Sequence, residues 1–234
     1  FFINHSKQIK KMKAFIARRY SKVDKLEMVD LPEPVVNDNE VLIQIHAASI
    51  NLIDSKLKSG EFKLILPYKL PLILGHDVAG VVTKTGYKVS RFKVGDEVFA
   101  QPAVLKIGTL AEYIAINETN VALKPQNISM EEAASIPLVG LTAWQALIEK
   151  ANLKKGQKVF IQAGSGGVGT FAIQLAKHVG ATVATTTSET NFDLVKRLGA
   201  DVVIDYKRDD FETMLKDYDV VLNSQDTKSL EKSL

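Results

Sequence analysis

The sequence predicts two successive domains of different class: a β-rich one, then a doubly wound α/β domain built on a parallel sheet. Three observations carry this expectation. From Met12 to about Asn127 short strand-like runs are separated by turn chemistry, at Ser129 the pattern turns helical, and from Lys158 onward strand and helix patterns alternate. The division is expected at 128/129, giving domains over residues 12–128 and 129–234.

In chain order, residues 1–11 precede Met12-Lys13-Ala14-Phe15-Ile16-Ala17, which reads as a natural start running directly into a strand. The first eleven are therefore expected to be an appendage. Their apolar block, Phe1, Phe2 and Ile3, is too short for a signal peptide, and the segment lacks the arginines of a mitochondrial presequence. Pro32 and Pro34 mark a loop. Val41, Ile43 and Ile45 then alternate with Leu42, Gln44 and His46, as in a half-buried strand, and residues 78–83 form another strand. Gly95-Asp96 turns the chain into Val98-Phe99, and residues 110–116 are extended after Gly108.

Ser129-Met130-Glu131-Glu132 has the form of a capping box opening a helical stretch over 133–150, which Pro137 and Gly140 should divide into two pieces. Beyond it the pattern reads strand 158–163, helix 167–178, strand 182–187, helix 191–198, strand 202–205, helix 210–216 and strand 219–223. A helix follows from near Asp226. Right-handed crossovers place these strands in one parallel sheet of Rossmann type. That fold usually has six strands, and with four the last would be an open edge, so the sequence reads as C-terminally truncated.

Composition narrows the function classes. At 46 % hydrophobic and 24 % charged residues over 234 positions, the chain reads as a soluble globular protein. Its 30 basic and 27 acidic residues are dispersed, so no basic face for nucleic acid is evident, and its apolar runs are far short of a membrane span. Neither is expected as a partner. With no cysteine, disulfides and thiolate zinc sites are excluded, and a reducing, cytoplasmic setting fits.

The informative motif is Gly164-Ser165-Gly166-Gly167-Val168-Gly169. It follows the apolar strand run Val159, Phe160 and Ile161 and precedes Val168, Phe171, Ala172, Leu175, Ala176 and Val179 at three- and four-residue steps, one face of a helix. Unpaired backbone N–H groups and the positive end of a helix dipole then meet where a dinucleotide pyrophosphate can sit, and glycine permits the close approach. About 20 residues past the first glycine, where an acidic side chain would hold the ribose of NAD, the chain reads Thr185-Thr186-Thr187-Ser188. Hydroxyls replace a carboxylate that would repel a 2′-phosphate. Thr187, Ser188, Asn191 and Tyr206, with Lys207 nearby, therefore favour NADP(H). Glu189 is the counter-feature, and Lys196 and Arg197 read as a solvated helix face.

Several segments together resemble the medium-chain dehydrogenase/reductase superfamily, and within it the zinc-independent, NADPH-dependent quinone oxidoreductase branch. They are Ala47-Ala48-Ser49-Ile50-Asn51-Leu52-Ile53-Asp54, Gly75-His76-Asp77-Val78-Ala79-Gly80, Gly108-Thr109-Leu110-Ala111-Glu112-Tyr113, the run from Ile136 to Trp144, and the glycine motif. The resemblance implies a GroES-like β domain before the Rossmann domain, substrate and nicotinamide meeting in a cleft between them, and a homodimer at full length. It implies that Asn51 contacts the nicotinamide and substrate region, that Thr142 lies by the nicotinamide ring, and that Tyr206 packs at the 2′-phosphate. Two departures stand out: a phosphate-holding lysine of some members is Asn191 here, and a tyrosine after the aligned asparagine is Leu52.

Zinc alcohol dehydrogenases of the same superfamily need a thiolate at Asn51, a histidine at His76 and a third ligand near Pro137-Leu138. Only the histidine is present, so no metal site is expected. The implied activity is metal-free hydride transfer from NADPH to a quinone or other electron-poor carbonyl, with Tyr68 and His76 the nearest polar groups for a developing oxyanion. The alternatives are an enoyl or 2-alkenal reductase, a non-catalytic NADPH-binding protein, and a metal-dependent alcohol dehydrogenase.

Overall fold

The structure is a computed structural model describing residues 10–225 and 227–233. It divides into two compact units at Leu138/Val139.

The first unit comprises strands β1 (Lys11–Ala17), β2 (Glu27–Pro32) and β3 (Glu40–Ser49), helix α1 (Leu52–Ser59), strands β4 (Leu72–Ile73), β5 (Asp77–Thr85), β6 (Glu97–Ala100), β7 (Tyr113–Asn117) and β8 (Val121–Leu123), and helix α2 (Met130–Ala134). An antiparallel sheet in the order β7-β3-β5-β6-β8 carries the core, which includes Val41, Ile43, Val78, Val82, Val98, Ile114 and Ile116. A second sheet, β2-β1-β4, pairs Lys11 with Pro32 and Met12 with Leu31. Lys11 is thus a strand residue, and the Lys10 carbonyl accepts from Glu33 N at 2.8 Å. This corrects the expectation that residues 1–11 are all appendage; the part over 1–9 lies outside the described residues. The expected alternation in β3 holds over Gln44, Ile45 and His46 but not at Leu42: Val41, Leu42 and Ile43 are all fully buried, and the pairing of β3 with β5 shifts register between Leu42 and Ile43.

The change of chain character at 128/129 precedes the division between the units by ten residues. Packing explains the offset. Ala133 and Ala134 of α2 are buried in one cluster with Ala79, bringing in Ala47 and Phe99, so α2 closes over the first unit. Ser129 caps α2 as its sequence predicts: its Oγ accepts from Glu132 N at 3.1 Å while Glu132 Oε2 accepts from Ser129 N at 2.8 Å. The helical stretch breaks at 135–136, before Pro137, which opens α3 (Pro137–Trp144), and Gly140 lies inside α3 without interrupting it. Proline at the first helical position loses no hydrogen bond, because that N–H has no partner within a helix. A π-helical turn, Gln145–Lys150, continues α3 and was not anticipated.

The second unit holds β9 (Lys158–Ile161), α4 (Gly167–Val179), β10 (Thr182–Thr187), α5 (Phe192–Arg197), β11 (Val202–Asp205), α6 (Phe211–Met214), β12 (Val220–Leu222) and α7 (Thr227–Glu231). Its strands are parallel in the order β11-β10-β9-β12. Val159, Ile161 and Val183 of the sheet are fully buried against Ala172, Ile173 and Ala176 of α4, with Phe171, Leu175 and Val179 packed around them. The helical period seen in sequence is the face that covers the sheet. Gly180, at φ 90°, ends α4 in the left-handed conformation that glycine adopts freely.

Candidate functional site

In the second unit β9 ends at Ile161 and the chain turns through Gln162 to Gly166 into the 13-residue helix α4. Ala163 sits at φ 53°, a conformation that costs a non-glycine residue energy and is concentrated at ligand-holding turns. Gly164 is hemmed in: a Cβ there would fall on Thr185 Oγ1 and lie 3.0 Å from Ile173 Cδ1. At Gly169 a Cβ would meet the Ala163 carbonyl oxygen and stand 2.7 Å from Gly164 Cα. The turn and the first coil of α4 are in backbone contact, which only glycine allows. Gly166, the N-cap, offers no side chain to the first N–H groups of α4, and those groups have no intrahelical acceptor. A cradle of this kind fits a pyrophosphate.

Beside it, the hydroxyl and amide residues expected from sequence come together. Ser165 Oγ accepts from Thr187 Oγ1 at 2.7 Å and from Asn191 Nδ2 at 3.3 Å, and Asn191 Nδ2 also reaches Ser188 Oγ at 3.2 Å. Tyr206 follows β11 directly, and since Thr187 pairs with Asp205, it sits level with Ser188; it is 60 % exposed. Glu189, the acidic counter-feature, pairs with Arg208 Nη1 at 3.4 Å, and Arg208 Nε also reaches Asp205 at 3.1 Å. Sequence reasoning missed Arg208, although its place two residues after Tyr206 could have flagged it. Lys196 and Arg197 are exposed on α5, Lys196 lying 5.7 Å from the Phe192 ring centroid. Thr142 is exposed on α3 of this unit.

In the first unit Asn51 is the N-cap of α1, a helix the sequence reading did not place. Its backbone N donates to Asp54 Oδ2 at 2.8 Å, and Asp54 N returns a bond to the Asn51 carbonyl at 3.0 Å. The Asn51 side-chain amide donates to Asp77 Oδ2 at 2.6 Å and to Ser49 Oγ at 3.2 Å. Asp77 also accepts from Ser49 Oγ and from Leu138 N, each at 2.6 Å. Asp54 Oδ1 accepts from Gly75 N at 3.2 Å and contacts His76 Nδ1 at 2.7 Å. Asn51 is thereby held by carboxylates on both sides, and Ser49 and Asp77 join it as members the sequence reading had not singled out. Tyr68, 9 % exposed, accepts from Leu105 N at 3.3 Å, and burial raises its phenol above the ordinary tyrosine range. Among the described residues no group of three His, Cys, Asp or Glu side chains is placed to hold a metal ion.

Burial pushes the Asp77 carboxyl above its ordinary value, and the donors from Ser49, Asn51 and Leu138 only partly offset this. Its native form therefore binds a proton more readily than the unfolded chain. The stability it contributes through this shift is full below the unfolded value near 3.8 and is lost as pH rises through the raised one. Urea unfolding of the protein and of Asp77→Asn should show the stability of the former falling relative to the latter over that interval; a gap that is constant or grows with pH would contradict the assignment.

Residues 37–126 match the family described as alcohol dehydrogenase GroES-like domain, and residues 167–231 match that described as zinc-binding dehydrogenase. The chain is 44 % identical over 222 residues to a 2-methylene-furan-3-one reductase of Solanum lycopersicum, covering 91 % of this chain and 57 % of that protein. It is 41 % identical over 224 residues to a chloroplastic NADPH-dependent alkenal/one oxidoreductase of Arabidopsis thaliana, covering 92 % and 58 %. The chain thus spans under three fifths of the length of these curated relatives. Among solved structures it is similar to a quinone oxidoreductase from Coxiella burnetii, with a TM-score of 0.83 at 37 % identity, covering 92 % of this chain and 68 % of that one.

Proposed function

The chain belongs to the medium-chain dehydrogenase/reductase superfamily, in its quinone oxidoreductase-like branch, and on that premise we propose that it reduces a quinone or another electron-poor carbonyl compound with NADPH. The observation that carries this reading is the glycine turn opening α4 beside a cluster of hydroxyl and amide groups without a free carboxylate. The backbone N–H groups of Gly167, Val168 and Gly169 would receive the pyrophosphate. Ser165, Thr187, Ser188, Asn191 and Tyr206 would surround the 2′-phosphate, with Glu189 paired to Arg208. NADPH, when bound, supplies the hydride.

Asn51 and Thr142 are the residues assigned to the nicotinamide and the acceptor, Asn51 because two carboxylates fix its orientation. A preoriented amide loses little freedom on meeting a ligand. The reaction is read as metal-free: the chain has no cysteine, and of the three ligand positions of the zinc-dependent relatives only His76 holds a metal-binding residue type. The relatives' printed activities support reduction of enones and alkenals as much as of quinones. A cytoplasmic location and a homodimer belong to the same reading; no helix among the described residues is long and apolar enough to cross a membrane.

Consumption of NADPH by the full-length protein, with a quinone and with a 2-alkenal, tests the activity. Turnover with either supports it, and NADPH binding without oxidation by any such acceptor selects the non-catalytic alternative. Cofactor choice has its own test. Ser188→Asp, just past the end of β10, should shift the NADPH-to-NADH affinity ratio toward NADH by about tenfold, the equivalent of about 1.4 kcal/mol, since an added carboxylate would repel the 2′-phosphate. An unchanged ratio would place the 2′-phosphate elsewhere.

A further inference from the structure

We propose that Asp54 and His76 form a proton-delivering pair, with His76 Nε2–H the acid that quenches the enolate left when an α,β-unsaturated carbonyl accepts a hydride. The proposal rests on the reductase reading above, in which no acid has yet been assigned to the enolate.

The geometry is specific. His76 is 6 % exposed and Asp54 4 %, and Nδ1 and Oδ1 are 2.7 Å apart. Asp54 already accepts from two backbone amides, Gly75 N and Asn51 N, so its carboxylate is occupied entirely as an acceptor. An acceptor facing Nδ1 requires the proton on that nitrogen. Nε2 is the ring's one remaining polar atom, and no hydrogen bond joins it to another of the described residues. Thr109 Oγ1 is the single unpartnered side-chain polar atom fully sealed from solvent among the described residues, so Nε2, equally unpartnered, keeps an opening to the outside. Here one nitrogen is fixed and the other is held ready.

The same carboxylate orders Asn51 through the cap of α1, so the imidazole and the proposed acceptor-contacting amide are tied to one anchor. The chemistry balances. Hydride addition at the β-carbon moves the alkene π pair toward the carbonyl and gives an enolate. The Nε2–H bond of the imidazolium then breaks, its electron pair staying on nitrogen, and the proton passes to the enolate. Neutral imidazole, with Nδ1–H still on Asp54, regains a proton from water. A quinone needs none of this, because its reduced oxygen takes a proton from solvent. His76 is therefore a catalytic residue for enone substrates, and Asp54 is its positioning residue.

The test compares His76→Gln and Asp54→Asn with the unaltered full-length protein, following NADPH consumption on a 2-alkenal and on a quinone. Loss of a general acid is worth about 10²–10⁴-fold. The ratio of alkenal to quinone turnover should fall at least about 30-fold in His76→Gln, and less in Asp54→Asn, which keeps the ring but not its anchor. A merely structural role would lower both substrates together and leave the ratio unchanged, which would overturn the proposal. Nitrogen-15 NMR of the histidines in the cofactor-free protein gives a readout independent of turnover and of variant folding. The neutral ring of His76 should carry its proton on Nδ1, and finding it on Nε2 would also overturn the proposal. Should the unaltered protein oxidise NADPH with neither acceptor, the reductase reading fails and this proposal with it; activity with an unchanged ratio defeats the proposal alone.

Discussion

Replacing Gly164 by alanine should lower NADPH affinity by about 100-fold or more, the equivalent of about 2.7 kcal/mol. The added methyl would land on Thr185 Oγ1, and Thr185 is fully buried with that hydroxyl already donating to the Ile161 carbonyl at 2.6 Å. Ile173 Cδ1, 3.0 Å from the same methyl, belongs to the α4 face packed on the sheet. Neither neighbour has room to withdraw, so the turn must lift away from the sheet. Overpacking of this kind costs about 1–3 kcal/mol in stability. Lifting the turn also disperses the N–H groups that would meet the pyrophosphate, so binding should suffer beyond the loss in stability. Gly166→Ala is the contrasting substitution: its Cβ would have only the Ala163 carbonyl oxygen near, at 3.3 Å, and the fold should tolerate it. Thermal unfolding and calorimetric titration of the two variants separate the effects. Equal affinity of Gly164→Ala and the unaltered protein for NADPH would contradict the role of the turn.

Asp77→Ala should destabilise the first unit by about 3 kcal/mol or more. Asp77 is 1 % exposed and receives three hydrogen bonds, from Ser49 Oγ, Asn51 Nδ2 and Leu138 N. Truncation leaves these donors without their acceptor, and a buried donor left unsatisfied costs about 1–3 kcal/mol. Asp77→Asn keeps the shape and one acceptor oxygen, so its loss should be smaller at neutral pH, where the carboxylate also bears a burial cost that the amide avoids. Urea denaturation ranks the three proteins. If Asp77→Ala is as stable as Asp77→Asn, the carboxylate does not hold this cluster. Because Asn51 takes its orientation from Asp77, Asp77→Ala should also reduce turnover on any acceptor by more than its fraction unfolded explains.

The second unit was the more legible part of the sequence. Its strands are short apolar runs and its main helix keeps a clear three- and four-residue period, and both patterns express burial in a parallel sheet covered by helices. The glycine turn could be read because its residues are constrained by backbone contact, which leaves glycine no substitute at Gly164 and Gly169. Arg208 was not legible: an exposed arginine after a strand looks like any solvated residue until its partners Glu189 and Asp205 are seen.

The first unit was harder. Helix α1 has eight residues, too few for a period to declare itself, and only its Asn51 and Asp54 cap marks it. The Asp54–His76 contact joins positions 22 apart, and no local pattern encodes a pairing made by the return of the chain from α1 to β5. The division between the units shifted because α2 is amphipathic toward the first unit's sheet, a preference of its alanines for that surface and not of its helical pattern. Asp77 shows the same limit from another side. In sequence it is one acidic residue beside a histidine, and its weight comes from three donors on two distant segments, Ser49 with Asn51 and Leu138.

Residue-resolved amide NMR during titration of the full-length protein with NADPH decides whether the glycine turn and the hydroxyl cluster beside it hold the dinucleotide. Saturable shifts are expected at Ser165 to Gly169 and at Thr187 to Asn191, the latter much weaker with NADH, which lacks the 2′-phosphate. Shifts confined to other segments, or none with either nucleotide, would contradict that role.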